Sequence, residues 1–375
     1  MTAAVCAEPV PALPAETVAT GPPEARGFER DGVRMLVATP EGLSHRVVRD
    51  LPAVLRAGDV LVLNTSDTLP AALRGVTADG ERVEVHLSTL DPSAGDGYRE
   101  ALRATDTRWV VEVRIQGGFG GQPSYADRAG AEVGLAGGGV LRVVAGYPDG
   151  TAAPRLWRAE LRTPTPLLDW LHAHGAPIRY SYVSAPWPHS AYRTTHADTP
   201  GSAEMPSAGR PLSPVVLRRL RARGVEVAPL VLHCGVSSLE AGDPPCPEWF
   251  EVPPSTAATV TAARQDGRRV IAAGTTVVRA LESAVGPGGD AEARHGWTDL
   301  VVTPERGVST LDGLLTGWHE PAASHLQLLR AVGGCRLLQA SYQEAARAGY
   351  RWHEFGDLHL ILPADPTGLR RPAVR

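Results

Sequence analysis

The sequence predicts an α/β protein: a mixed α/β main domain with a small antiparallel β-barrel domain inserted near its start. Two changes of texture carry this reading. From Ala71 to about Leu161, short runs of alternating apolar and polar residues are broken by glycine clusters, the pattern of a small barrel or sandwich. From Thr165 onward, helical periods alternate with apolar strands, the pattern of an α/β body. The length of 375 residues agrees, since it suggests two or three domains at roughly 150 residues each. The expected division is a mobile N-terminal segment over 1–27, an α/β domain over 28–70 and 162–375, and the barrel over 71–161.

Residues 1–27 are rich in Ala, Pro, Glu and Thr and lack periodicity, so only a short piece around Leu13 is expected to be anchored. Residues 34–38 and 59–63 read as apolar strands, with a helical turn over 51–55 ended by Gly58. In the insertion, 83–87 and 109–115 alternate with period two, and 140–144 is an apolar strand. The glycine clusters at 117–121 and 137–139 read as hairpin loops, because neither forms a G-x-G-x-x-G run after a strand. In the body, Ser213 caps a helix with Pro214 at its first position, and Gly224 ends it. There follow a strand over 225–232, a helix over 255–264, a buried strand over 270–273 and a helix from Gly274-Thr275-Thr276 through Ser283. A strand over 300–302, helices near 324–332 and 341–348 and a last strand over 358–362 complete the set.

Composition narrows the function. The formal charge is 37 − 41 = −4, so no global basic field advertises nucleic acid. All 37 basic residues are Arg; without Lys there is no lysine Schiff base and no P-loop lysine. Cys6, Cys234, Cys246 and Cys335 form no ligand-spaced pair, which fits a reducing cytosol better than a disulfide framework, and no metal is expected. No apolar run reaches the roughly 18–20 residues that span a bilayer, and the first residues do not read as a secretory signal. The expected location is cytoplasmic.

Several segments could carry chemistry. At 273–282 a buried strand runs through Gly274, Thr275 and Thr276 into a helix, whose first N–H groups attract carboxylates or phosphates; the same hydroxyls would serve as a plain cap. Arg279 and Glu282 lie three apart on that helix and could pair with each other. His233 ends an apolar strand, where α/β sheets place ligands, although a buried histidine there is commonly a core residue. Cys234 beside it reads as a small buried filler. His319 follows Trp318, Asp357 precedes the last strand, and Tyr192, Thr194 and His196 sit in a polar, proline-flanked segment. Arg218, Arg219, Arg221 and Arg223 crowd one helix, a solvated face unless RNA is the partner.

Taken together, these segments resemble the S-adenosylmethionine:tRNA ribosyltransferase-isomerase family of queuosine biosynthesis. The resemblance runs from Gly58-Asp59-Val60-Leu61-Val62-Leu63-Asn64 and Leu69-Pro70-Ala71 to Tyr192-Arg193-Thr194, Gly201-Ser202 and Pro206-Ser207-Ala208-Gly209. It continues through Leu232-His233-Cys234-Gly235, Glu248-Trp249-Phe250, Gly274-Thr275-Thr276 with Arg279 and Leu281-Glu282, and Thr316-Gly317-Trp318-His319-Glu320-Pro321. It ends at Tyr350-Arg351 with Gly356-Asp357. The chain departs from the family pattern at Thr65-Ser66-Asp67, Arg210-Pro211-Leu212-Ser213 and Cys246, where an arginine and two histidines are missing.

The resemblance implies a two-domain fold and a reaction on S-adenosylmethionine as co-substrate. A base removes the proton next to the sulfonium, the ribose opens and adenine leaves. The aminomethyl group of 7-aminomethyl-7-deazaguanine in a tRNA anticodon loop then attacks, and methionine departs as the epoxycyclopentanediol closes. Within it, His233 and His319 are expected to exchange protons, and Thr275 and Thr276 to begin the helix that holds a carboxylate or sugar oxygens. Arg279, Glu248, Asp357, Asn64, Thr194, Glu282 and Tyr192 are expected to bind substrate, with Tyr192 stacking on a base. A monomer is expected. Two rival readings remain at this stage: a paralogue that passes the ribosyl group to a small nucleoside, and a non-catalytic nucleotide-binding homologue.

Overall fold

The computed structural model describes residues 10–95, 97–117, 121–151, 153–236, 246–320 and 325–363. The chain opens the body with β1 (Arg34–Thr39), β2 (Gly42–Val47), α1 (Leu51–Val54), β3 (Val60–Asn64) and β4 (Ser66–Thr68). It then builds β5 (Ala72–Thr77), β6 (Arg82–Leu90), α2 (Tyr98–Arg103), β7 (Asp106–Ile115), β8 (Gln122–Pro123), β9 (Glu132–Leu135), β10 (Val140–Tyr147) and β11 (Leu156–Arg162). The order β11-β10-β9-β5-β6-β7, closed by pairing of β11 with β7, makes a six-stranded antiparallel barrel, with β8 on the edge of β7. Its interior is filled by Val83, Val85, Leu87, Val111, Val113 and Leu141, among others.

The chain returns to the body with α3 (Leu167–His174), β12 (Thr199–Ser202), α4 (Pro214–Ala222), β13 (Glu226–Leu232), β14 (Glu248–Val252), α5 (Pro254–Gln265), β15 (Val270–Ala273), α6 (Thr275–Ser283), β16 (Arg294–Thr298), β17 (Gly313–Gly317), α7 (His325–Arg347) and β18 (Leu358–Ile361). Nine strands form one mixed sheet in the order β16-β14-β13-β3-β15-β17-β18-β1-β2. Its centre, β13-β3-β15-β17, is parallel.

Every residue of β3 and β15 is buried, as expected for strands covered on both faces. Alternation divides them between two layers. Val60, Val62 and Ala272 pack with Val260, Val277, Leu281 and Leu329 of α5, α6 and α7. Leu61, Leu63, Ile271 and Ala273 pack with Leu51, Val216 and Leu220 of α1 and α4. Ser213 Oγ accepts from the Val216 N–H, so the α4 cap expected from Ser213-Pro214 is present.

Four expectations need correction. Residues 300–302 form no strand: the Leu300 N–H donates to Thr298 Oγ1 at 3.1 Å and its carbonyl accepts from Arg279 Nε at 3.1 Å, so neither is free for a ladder. The strands there are β16 and β17 instead. The two expected C-terminal helices are present but have other bounds, meeting at Gly334, whose φ of 70° and ψ of 164° no helix permits; residue 324 lies outside the described residues. Within 10–27, Val10, Leu13 and Ala19 are buried, and the Ala19 N–H donates to the Trp352 carbonyl at 3.1 Å, a longer anchor than the piece around Leu13. Residues 1–9 lie outside the described residues. Cys234 is a buried free thiol, whereas Cys335 is disulfide-bonded, which departs from the expected set of unpaired cysteines.

Candidate active site

Parallel strands aim their carboxyl ends at one edge of a sheet, and open α/β sheets bind ligands there. At this edge β3 ends on Asn64, β13 on Leu232 followed by His233, β15 on Ala273 followed by Gly274-Thr275-Thr276, and β17 on Gly317 followed by Trp318-His319. The Gly274 N–H donates to the Leu315 carbonyl at 2.8 Å, which ties the last two ends together. Four segments far apart in sequence thus meet at one edge.

Asn64 is the clip at its centre. Its Oδ1 accepts from the N–H groups of Ser66 and Leu232, both at 3.0 Å, while its Nδ2 donates to the Leu232 carbonyl at 2.8 Å and to Thr276 Oγ1 at 3.3 Å. Every hydrogen-bonding position of the amide is therefore used by the protein. Asn64 shapes the site rather than offering a free group to it.

His233 is 1% exposed. Its Nδ1 lies 2.7 Å from Ser66 Oγ, which lies 2.6 Å from Ser202 Oγ. The ring stacks on Trp249, with centroids 5.2 Å apart and planes 18° apart, and packs 4.3 Å from Tyr98. Tyr98 belongs to the inserted barrel, so that insertion supplies one wall of the histidine's slot. Gly201 forms another, since a Cβ there would come within 2.4 Å of the ring. Burial lowers the pKa of His233 to about 3, so the imidazole is neutral near pH 7.

A second group lies beside it. The Gly235 N–H donates to Glu248 Oε1 at 3.0 Å, and Glu248 Oε2 accepts from Arg279. Burial raises the Glu248 carboxyl above its ordinary value, while Arg279 and the Gly235 N–H pull it back. Arg279 also donates to the carbonyls of Leu300 and Thr298, so its guanidinium is committed to the fold. His319 Nε2 lies 3.1 Å from Thr316 Oγ1, and its ring stacks on His325 at 4.5 Å and 3°. Burial holds both imidazoles below their ordinary pKa, His325 at about 4, with Arg279 adding to the effect on His325.

Gly274, at φ +108°, precedes α6 and caps it without a side chain, so Thr275 and Thr276 are its first two residues and not its cap. Thr275 is 8% exposed. The position of α6 leaves its first N–H groups at the edge shared by Asn64 and His319.

Besides Asn64 and Arg279, three more expected site residues sit elsewhere or are occupied. Glu282 does not pair with Arg279; it accepts from Arg306, from the N–H groups of Ser309 and Thr310, and from Thr310 Oγ1, which fixes the 306–310 loop. Asp357 accepts from the Arg34 N–H and guanidinium and from the Arg351 N–H, joining β1 to the turn before β18. Tyr192 is buried edge-on against Phe355, at 5.2 Å and 64°, so its ring has a protein partner already. Thr194 is buried near Gly209. Sequence reading missed Ser66, Ser202, Tyr98, Trp249 as a stacking partner, and His325. The Gly201-Ser202 and Glu248-Trp249-Phe250 motifs, and the departure at Thr65-Ser66-Asp67, gave signals for Ser202, Trp249 and Ser66; nothing did for Tyr98 or His325.

No group of three or more metal-ligating side chains is present among the described residues. No described helix is long and apolar enough to cross a membrane.

Fold and site define a class: an α/β body with an inserted barrel, in which polar side chains collect at the carboxyl ends of parallel strands. A profile described as queuosine biosynthesis protein matches residues 12–361. A Methylocella silvestris protein named S-adenosylmethionine:tRNA ribosyltransferase-isomerase is 34% identical over 385 residues, covering 95% of this chain and 97% of its own. A Gloeobacter violaceus protein of the same name is 36% identical over 373 residues, covering 94% of each chain. The crystal structure of S-adenosylmethionine tRNA ribosyltransferase from Thermotoga maritima superposes with a TM-score of 0.50 at 26% identity, covering 94% of this chain and 99% of that one. The chain belongs to the queuosine biosynthesis family of transferase-isomerases.

Proposed function

We propose that the protein transfers and isomerises the ribosyl group of S-adenosylmethionine onto 7-aminomethyl-7-deazaguanine in a tRNA anticodon loop, releasing adenine and methionine. The observation that supports it most is the meeting of Asn64, His233, Thr275-Thr276 and His319 at the carboxyl ends of β3, β13, β15 and β17. A sulfonium nucleoside presents ribose hydroxyls, a carboxylate and an acidified C–H bond. The start of α6 suits the carboxylate or the sugar oxygens. A neutral imidazole suits the C–H bond, because only the unprotonated ring accepts a proton. Burial of His233 against Tyr98 and Trp249 would keep a reactive carbanion beside it from bulk water.

The acceptor base lies in a single-stranded loop, where stacking and backbone charge serve recognition without groove reading. Exposed Arg218, Arg219 and Arg221 on α4, with Arg223 at its C-cap, are the contact we assign to phosphates. The protein acts in the cytoplasm, as a monomer. The test is mass spectrometry of tRNA carrying the aminomethyl base after incubation with the protein and S-adenosylmethionine. The proposal expects the mass of the epoxycyclopentanediol group to appear on the tRNA. Unmodified tRNA, with S-adenosylmethionine intact, would overturn it.

A further inference from the structure

Residues 192–196 alternate in a way that the rest of the site does not. Arg193 has extended backbone, at φ −115° and ψ 143°, which sets Tyr192 and Thr194 on the side opposite Arg193, and the chain then turns at residues 195 and 196. The odd residues are satisfied: Arg193 pairs with Asp67, and Thr195 Oγ1 donates to the Leu212 carbonyl at 2.8 Å. The even residues are not. The Tyr192 hydroxyl and Thr194 Oγ1 are hidden from solvent and have no hydrogen-bond partner, and the hidden ring nitrogens of His196 have no side-chain partner and meet the Asn64 backbone at most on one side. Leaving one such group unmade costs about 1–3 kcal/mol, so a row of them in a native fold calls for an explanation, and an absent ligand is one.

His196 and Thr194 face the same point. A Cβ at Gly209 would lie 3.1 Å from His196 Nε2 and 3.4 Å from Thr194 Cγ2. Next to Gly209, Ala208 Cβ is 3.6 Å from the position a Cβ would take at Gly274. The 206–209 turn therefore lies between His196 and the start of α6. The His196 ring also lies beside the Asn64 backbone, and Asn64 bonds Thr276. By contrast, Nδ1 of His233 is engaged by Ser66 and Nε2 of His319 lies beside Thr316 Oγ1.

We propose that His196 is the proton acceptor of the site, taking the proton from the ribose carbon next to the sulfonium, with Thr194 holding a ribose hydroxyl beside it. This rests on the ribosyl-transfer reading given above. One ring nitrogen of His196 forms a bond to the departing proton. The C–H electron pair becomes the new carbon–carbon double bond as the ring C–O bond breaks. The ring-oxygen pair forms the sugar carbonyl as the bond to adenine breaks, and adenine leaves with that pair and takes a proton, for which the imidazolium is the donor at hand. Burial holds His196 at about pKa 4, with Asp198 opposing and Arg30 reinforcing the shift, so the ring is unprotonated near neutrality.

The experiment compares wild type with His196→Gln and His196→Ala. It measures three quantities: S-adenosylmethionine affinity by calorimetry, deuterium uptake at the ribose 5′ carbon in D2O, and adenine release with tRNA carrying the aminomethyl base. Thermal melts verify that each variant is folded. The expected result is a loss of about 10²–10⁴-fold in exchange and adenine release in both variants, with affinity within about threefold of wild type. A variant that exchanges deuterium at the wild-type rate overturns the proposal, as does one whose only defect is weakened binding. If one variant fails to fold, the other decides. If wild type itself neither exchanges deuterium nor releases adenine, the failure belongs to the ribosyl-transfer reading.

Discussion

Glu248 at the start of β14 and Arg279 in the middle of α6 form an ion pair whose side chains are only 14% and 11% exposed, and that pair links the strand-end edge to the helix behind it. Breaking one partner of a buried pair leaves the other charge uncompensated, at about 3–5 kcal/mol. Arg279→Leu should therefore lower the midpoint of thermal unfolding by several degrees or more. Arg279→Leu with Glu248→Gln should recover part of the loss, because the orphan charge is gone. A double-mutant cycle measures the coupling; additive effects would show that the pair is not a unit.

Gly201 lies against His233 more closely than any side chain allows. Gly201→Ala would place a Cβ 2.4 Å from ring atoms that are themselves held by Ser66, Trp249 and Tyr98. The ring must move. The expected outcome is at least a tenfold fall in adenine release together with a lower melting temperature, since displaced catalytic geometry and overpacking both act. Wild-type turnover in this variant would mean that the position of His233 is irrelevant to the chemistry.

Burial of imidazoles makes a pH prediction with a definite sign. His233 and His359 have folded pKa values of about 3, below the ordinary 6.5, so the unfolded chain binds more protons between those limits. Their contribution to stability is present above pH 6.5 and is lost as pH falls towards 3, by roughly 1.4 kcal/mol per pH unit for each ring across the window. Denaturant titrations at pH 7, 6 and 5 should show a steepening loss. His359→Phe, which keeps a ring against Trp318, should flatten that slope; an unchanged slope would contradict the assignment to His359.

Much of the fold was legible because the central strands are unbroken apolar runs between glycines or polar ends, as at Val60–Asn64 and Val270–Ala273. Strand Gly313–Gly317 escaped notice because glycine at both ends and Thr316 interrupt its apolar signal, and Arg294–Thr298 because it is a polar edge strand. Position along the chain gave His233, His319 and Thr275. It could not give Tyr98, 135 residues before the ring it covers, because that contact exists only when the barrel is docked on the body. Nor could it show that Glu282 and Asp357 are used within the protein, since an unpaired carboxylate and a structural one look alike in sequence.

The exposed arginines of α4 supply a test of the RNA contact that is independent of the chemistry. Among the described residues, Arg218, Arg219, Arg221 and Arg223 form no ion pair, so the helix presents four free positive charges. Arg218→Glu with Arg221→Glu should raise KM for tRNA at least tenfold, reduce the salt dependence of tRNA binding and leave S-adenosylmethionine affinity unchanged. Equal tRNA affinity at every salt concentration would place the RNA on another face.

The most direct measurement follows the sugar itself. With S-adenosylmethionine labelled in its ribose and tRNA carrying 7-aminomethyl-7-deazaguanine, the label should move into the tRNA in step with adenine release, one to one. Adenine release with the label left in small molecules, or no release at all, would contradict ribosyl transfer to RNA by this protein.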